Sequence, residues 1–298
     1  MMVQEQGECQ MKKKLSTILL LFILLLGLSL LLYPSFSEYW NALHQSRAIA
    51  SYVEQVANLD DAEYQEVLEQ AEQYNQELYE RGGGSLSLSD EARATYNSTL
   101  SFSNDGLMGY IEIPSIDVSL PIYHGSEEKI LQVGVGHIEG SSLPVGGDST
   151  HCVLVGHRGL PTAKLFTNLD RLSEGDRFTL TVLDETITYE VDQILVVDPD
   201  EVSALRIVPG EDYCTLVTCT PYGINSQRLL VRGHRVATTI NQGAIRVSSD
   251  ALQIDSIYVT PFAAIPLLCV IVIWVLVSTR KKKHIHDIKN YRKDGMNR

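Results

Sequence analysis

Two apolar runs frame the chain. Residues 15–33 are 19 uncharged positions, most of them Leu, and residues 257–277 are 21 more. At about 1.5 Å per residue the first run reaches roughly 28 Å as a helix, close to the hydrocarbon thickness of a bilayer. Between the runs the pattern changes twice. Residues 37–81 are rich in Glu, Gln, Ala, Leu and Tyr, with Tyr64, Val67, Leu68, Ala71, Tyr74 and Leu78 at helical spacing, which predicts one or two amphipathic helices. Most of that segment reads as a solvated spacer without chemistry of its own. Gly82-Gly83-Gly84-Ser85-Leu86-Ser87-Leu88-Ser89 breaks the helix as a linker or loop, and Asp90 is placed to cap a short helical run over 91–100. From Gly106 onward the period becomes that of strands. Residues 108–113, 118–122, 152–155, 177–182, 187–197, 213–218 and 229–231 are short β-rich runs separated by Pro, Gly, Asn or Asp, the pattern of a closed barrel or a sandwich. Residues 164–172 read as a short helix or turn.

Charge changes the picture from a soluble chain to a threaded one. The net charge is −13, but residues 1–14 and 280–298 hold 11 of the 24 Lys+Arg and 4 of the 37 Asp+Glu. The 13 basic and 33 acidic residues between them leave that middle at −20. Nucleic acid is excluded as a partner for such a surface, because holding phosphates needs a basic face. Lys12-Lys13-Lys14 before the first apolar run and Arg280-Lys281-Lys282-Lys283 after the second both belong on the cytoplasmic side. The lipid bilayer is thus a partner, and two anchors place the middle outside the cell with both termini cytoplasmic. A cleaved signal peptide is the competing reading of the first run, but Tyr33-Pro34-Ser35-Phe36 lacks the small residues of a cleavage site.

Five cysteines do not make a disulfide scaffold. In this topology Cys9 is cytoplasmic, Cys269 lies in the membrane, and Cys152, Cys214 and Cys219 face the exterior. Cys219 ends the strand-like run Tyr213 to Cys219, and Pro221-Tyr222-Gly223 with Asn225 must turn the chain. Arg228 opens the next run, so the turn can return a guanidinium to the sulfur. Val153-Leu154-Val155-Gly156-His157-Arg158-Gly159 is a second apolar strand that ends in a reactive side chain. A thiolate is the nucleophilic form of cysteine, so a base or cation beside Cys219 is required. His157 fits the base, ahead of His44, His124, His137, His151 and His234, because it alone combines a strand exit with flanking glycines. Arg228, always charged and with several N–H donors, suits an oxyanion or a substrate backbone. Arg232 lies on the same strand face and stands as a substrate-side alternative, whereas Arg158 reads as a surface or supporting residue. Cys152 and Cys214 each sit five residues before a reactive residue, which puts them together on the opposite face, as packed thiols or as a disulfide. The spacing of His124, His137 and His151 matches no tight metal-ligand pattern, and neither a metal nor a cofactor is expected.

Thr215-Leu216-Val217-Thr218-Cys219 with Arg228 on the next strand resembles the signature of the sortases, the cysteine transpeptidases of Gram-positive cell surfaces. Thr220-Pro221-Tyr222-Gly223, Arg228-Leu229-Leu230-Val231-Arg232-Gly233, Gly109-Tyr110-Ile111-Glu112-Ile113-Pro114, Leu120-Pro121-Ile122-Tyr123-His124-Gly125 and Gly156-His157-Arg158-Gly159 are similar to the pilin-polymerising class C members. The resemblance runs from about Gly106 to Arg235. It selects a mainly β fold, a sortase-type closed β-barrel, with an N-terminal helical segment and a hydrophobic helix at each end. The division it implies is a basic segment at 1–14, an anchor at 15–33, a helical lead-in at 34–81 and a linker or lid-equivalent at 82–105. The catalytic barrel follows at 106–240, then a linker at 241–256, a second span at 257–277 and a basic tail at 278–298. The resemblance implies that Cys219, His157 and Arg228 cleave the Thr–Gly bond of a Leu-Pro-x-Thr-Gly-like sorting signal through a thioacyl enzyme. Transfer to a lysine amine of a pilin subunit would follow. Anchoring of surface proteins to peptidoglycan and surface proteolysis are the alternatives. Class C members carry an Asp-Pro-aromatic lid motif near this linker. Ser89-Asp90-Glu91 is the nearest match and lacks both the Pro and the aromatic residue.

Overall fold

The computed structural model describes residues 2–82, 88–101 and 106–238, with side chains from Ser16 onward. The expected second apolar span at 257–277, the linker before it and the basic tail lie outside the described residues. The chain divides after Phe36 into two units, the second being Ser37–Ala244. Helix α1 (Met2–Ala57) contains the first apolar run, and no helix end separates that run from the polar lead-in. Among the described residues it is the one helix long and apolar enough to cross a membrane.

Asp60 caps α2 (Asp61–Glu80): its carboxylate accepts from the N–H groups of Ala62 and Glu63, and Glu63 returns a bond to the Asp60 backbone. Helix α3 (Asp90–Ser98) starts one residue earlier than the sequence indicates. Ser89, not Asp90, is its cap and accepts from Ala92 N–H, while Asp90 lies inside the first turn. Nor is the lead-in a solvated spacer. Tyr52, Ala71 and Tyr96 are fully buried, the Tyr52 hydroxyl donates to Met108 O and accepts from Leu183 N, and Asn75 exchanges two hydrogen bonds with the Leu143 backbone. Three helices share these contacts, Tyr52 from α1, Ala71 and Asn75 from α2 and Tyr96 from α3, and they pack on the strand domain.

Eight strands close that barrel: β1 (Leu107–Ile113), β2 (Val118–His124), β3 (Val135–His137), β4 (Thr150–Val155), β5 (Arg177–Val182), β6 (Glu185–Val197), β7 (Asp212–Thr220) and β8 (Gln227–Val236). Their order around the barrel is β1-β2-β3-β4-β7-β8-β6-β5. The β2–β3 and β4–β7 pairs are parallel and the others antiparallel. Closure removes the sheet edges, which a β domain must otherwise protect. Three-residue β3 is absent from the sequence reading, since Val135-Gly136-His137 is too short to show a period. Cβ at Gly136 would stand 2.4 Å from the Gly125 carbonyl, so only glycine lets the chain pass there.

Alternation divides the side chains of β4, β7 and β8 between two clusters. Cys152, Leu154, Cys214, Leu216, Leu229 and Val231 belong to the barrel core. Val153, Val217 and Leu230 form an outer patch with Val155, Leu195 and Val197, covered by Ala204 and Leu205 from the β6–β7 loop. The outer face is therefore the one on which a groove can form.

Candidate active site

Parallel pairing of β4 with β7 sets the geometry. The register runs from Thr150 opposite Asp212 to Val155 opposite Val217, and the Gly156 N–H continues it by donating to the Val217 carbonyl at 3.1 Å. Two further steps bring His157 level with Cys219. On the other side of β7, Cys219 is the direct partner of Arg228 in the antiparallel pairing with β8, so the two side chains leave the same face of the sheet as neighbours. All three candidate residues thus meet at one end of the β4–β7–β8 sheet, on the outer face, where each is partly exposed. The thiol is reachable from solvent and the strands behind it are buried.

Each candidate has partners that fix it. The Arg228 Nη1 donates to the carbonyls of Asn225 and Gln227, at 3.2 and 3.0 Å, which seats the guanidinium on the β7–β8 turn beside the sulfur. The turn is closed by Ile224 and Asn225 N–H groups donating to Pro221 O. His157 Nε2 lies 3.2 Å from Glu128 Oε2 on helix α4 (Glu128–Leu131). The hydrogen bond from Gln132 and then the bond and charge of His157 hold the Glu128 carboxyl below the usual range. Gly156, before the histidine, has no room for a Cβ, which would stand 2.6 Å from the Phe166 ring. The glycine flank singled out in the sequence is therefore a packing requirement.

Other sequence candidates lie elsewhere or are committed. Arg232, the substrate-side alternative, is engaged by other partners: it makes a two-pronged pair with Asp192, at 3.0 and 2.8 Å, and lies over the Tyr213 ring at 4.2 Å. Asp192 sits at the irregularity in the β6–β8 register between Val191 and Gln193, an insertion invisible to strand periodicity. Arg158 is not a surface residue, since its side chain is 8% exposed. His137 is buried between Tyr96 and the Ser142 carbonyl, and His124 is bonded to the carbonyls of Gly106 and Thr99. Cys152 and Cys214 stand opposite each other in the register as buried free thiols, the packed form of the pairing that counting indicated. Glu128 went unnoticed in the sequence because it lies in the polar run Ser126-Glu127-Glu128-Lys129, which looks like an ordinary solvated turn.

Comparison with known proteins decides what this arrangement belongs to. The family described as Sortase domain matches residues 111–236. Sortase D of Bacillus subtilis is 31% identical over 157 residues, which cover 49% of this chain and 76% of that protein. The chain belongs to the sortase family. Among solved structures, sortase C1 of Streptococcus agalactiae is 51% identical, with a TM-score of 0.63, covering 65% of this chain and 100% of that one. Sortase C of Clostridium perfringens, solved with the C-terminal cell wall sorting motif, is 44% identical, with a TM-score of 0.58, covering 65% of this chain and 100% of that one. The sortase described here is accordingly a cysteine transpeptidase with class C structural neighbours, and its closed barrel is the fold that the resemblance selected.

Proposed function

We propose that this sortase joins pilin subunits, using Cys219 as nucleophile, His157 as proton carrier and Arg228 as the cation at the oxyanion or substrate backbone. The observation that carries the assignment is the register: one parallel and one antiparallel pairing bring those three residues to a single sheet end. Class C neighbours support the pilin substrate. One is sortase C1 of GBS pilus island 1, at 44% identity, and another is sortase C of Streptococcus pneumoniae, whose structure bears on pilin substrate specificity.

In this reading the Cys219 thiolate attacks the Thr carbonyl of a Leu-Pro-x-Thr-Gly-like signal. Negative charge develops on the carbonyl oxygen, where a guanidinium stabilises it without a proton transfer. With Nε2 directed at Glu128, Nδ1 is the ring nitrogen left for the sulfur side. The imidazolium protonates the departing Gly amine, and the Thr carbonyl remains on sulfur as a thioester. A pilin lysine amine then attacks the thioester, the neutral imidazole takes its proton, and the Cys219 thiolate leaves. An isopeptide bond is formed and the enzyme is restored. The apolar run in α1 anchors the enzyme in the bilayer, the 257–277 run supplies a second span, and the barrel acts at the outer surface.

The deciding experiment incubates the full chain in detergent micelles with a sorting-signal peptide, with and without pilin subunits. Mass spectrometry should show a thioester adduct that is absent in Cys219→Ala and an isopeptide product only when pilin is added. Free acid as the sole product would replace this reading with a surface protease. Transfer to a peptidoglycan-precursor amine in preference to pilin would replace it with an anchoring enzyme.

A further inference from the structure

We propose that Arg158 is a positioning residue whose guanidinium clamps the loop carrying His157 to the end of the strand carrying Cys219, and so sets the separation of imidazole and sulfur. The proposal rests on the assignment of those two residues above.

The chain neighbours of the reactive pair are bridged on both sides. On the strand side, the residue before Cys219 bonds to the residue before His157, Thr218 Oγ1 donating to Gly156 O at 2.8 Å. On the loop side, the residue after His157 reaches the residue after Cys219, Arg158 Nη1 donating to Thr220 Oγ1 at 3.4 Å. The first bridge belongs to the sheet. Beyond it the β4 chain has left its strand while β7 runs on to Thr220, and Arg158 is the side chain that joins the two.

Its other contacts hold it as a fixed strut. Nη2 donates to Asp170 Oδ2 at 2.5 Å, within the turn Leu169–Arg171 that closes the His157 loop. That loop is itself folded back by Phe166 N–H on the His157 carbonyl and by Gly159 N–H on Thr167 Oγ1. On the far side the guanidinium lies 5.8 Å from the centroid of the Tyr222 ring, in the turn after Cys219. The same ring rests on Gly159, which has φ +77° and where a Cβ would stand 3.0 Å from Tyr222 Cε2. The two loops therefore touch over consecutive residues, Arg158 and Gly159.

Arg158 is poorly explained as a stability device. Its Nε is buried without a hydrogen-bond partner among the described residues, and an unmet buried N–H costs stability. Its ion-pair partner Asp170 is 46% exposed, so removing the guanidinium leaves no buried charge unpaired. Geometry is what the guanidinium supplies: a planar fork that reaches Thr220 and Asp170 at once, which a lysine ammonium cannot reproduce.

Stability and activity are therefore expected to separate. In the full chain in detergent micelles, Arg158→Met and Arg158→Lys should both lower kcat for transfer of a sorting-signal peptide about 10- to 100-fold, the scale of a misplacement near 1 Å. KM should stay within about twofold, because the substrate groove is untouched. The melting temperature of Arg158→Met should remain near that of the parent. Asp170→Asn, which leaves Arg158 in place but weakens its anchor, should show a smaller loss in the same sense. Wild-type kcat in Arg158→Met, full rescue by Lys, or a raised KM at unchanged kcat would each overturn the clamp. If Arg158→Met fails to fold, wild-type kcat in Asp170→Asn overturns it and a lowered kcat at unchanged melting temperature supports it. Cys219→Ala and His157→Ala run alongside: turnover in either refutes the assignment of the reactive pair, whatever Arg158 does.

Discussion

The Thr218 hydroxyl donates to the Gly156 carbonyl at 2.8 Å, joining the residues that immediately precede Cys219 and His157. Thr218 is 1% exposed, so the bond lies on the dry, core side of β7 while the thiol lies on the wet side. A substitution at Thr218 therefore probes the pairing of the two strand ends without entering the groove. Thr218→Val keeps the shape and leaves the Gly156 carbonyl without that donor, which should cost about 1–3 kcal/mol of stability. Activity should fall further than the stability loss accounts for, as the His157 exit loosens. Chemical denaturation with parallel peptide-transfer assays checks this, and a valine variant with unaltered stability and rate would show the bond to be incidental.

Arg228 faces Cys219 directly across the β7–β8 ladder, and its position is set by the carbonyls of the turn. If it stabilises charge on the carbonyl oxygen, Arg228→Ala should reduce kcat about 10²–10³-fold, the loss found for a single oxyanion donor. Arg228→Lys should recover little, because one ammonium cannot hold both the turn and the substrate. The adduct with a sorting-signal peptide should still form slowly in both, which separates this role from that of the nucleophile. Equal rates for the Lys variant and the parent would reduce Arg228 to a simple point charge.

Cys152 and Cys214 are opposite each other in the β4–β7 register and both are buried free thiols. Burial, followed by the hydrogen bond and charge of Cys152, pushes the Cys214 thiol well above its ordinary range, whereas at Cys152 burial is outweighed by the hydrogen bonds of Cys214 and His137, which bring it down to about 6. Both side chains are buried, and it is this that keeps an alkylating reagent from the pair in the folded chain. Titration of the unreduced, unfolded full chain should return five thiols, the number of cysteines present. In the native protein Cys219 should be the member of the three described cysteines that reacts first. Only three thiols after unfolding would mean that one disulfide exists in the chain, and peptide mapping would test whether it joins Cys152 to Cys214.

The parts of this site that were legible in the sequence are those that one strand announces by itself. Cys219 and His157 each end an apolar run at a turn, and the odd spacing to Cys214 and Cys152 follows from the alternation of a single strand. Cross-strand partners were legible only where a turn or a shared offset marks them, as for Arg228 opposite Cys219 and Cys152 opposite Cys214; the others were not. Asp192 engages Arg232 because β6 carries an extra residue there, and nothing in the run 187–197 marks it. Glu128 reaches His157 from a helix one turn long, and Tyr96 fills the space above His137 from a segment that looks solvated. The barrel was clearer than its lining, since strand period survives in composition whereas partner choice is a property of the assembled sheet. The lead-in was misread for a related reason: a helix that packs on a barrel wall and one that lies in water share the same amphipathic period when the buried stripe is narrow.

His151 ties β4 and β7 to the β6–β7 loop, at the end of the ladder away from Cys219. Its Nδ1–H donates to the Arg206 carbonyl at 2.9 Å, and Thr215 Oγ1 donates to Nε2 at 2.7 Å, so the neutral ring is fully satisfied. Burial, with a smaller contribution from the Arg232 charge, lowers its pKa from the ordinary 6.5, and burial moves His124 in the same direction. In the unfolded chain both rings take up a proton as pH falls through about 6.5, whereas in the folded chain they resist it until lower pH. Their contribution to stability is therefore complete above about 6.5 and is lost as pH falls toward the folded-state values. Urea melts of the full chain should show stability declining from pH 7 to pH 5. His151→Gln, which cannot titrate, should show a shallower decline across that window. Protonation of His151 removes the acceptor for Thr215 while leaving the Nδ1–H bond to the Arg206 carbonyl in place. Parallel pH curves for parent and His151→Gln would locate the acid sensitivity in other groups.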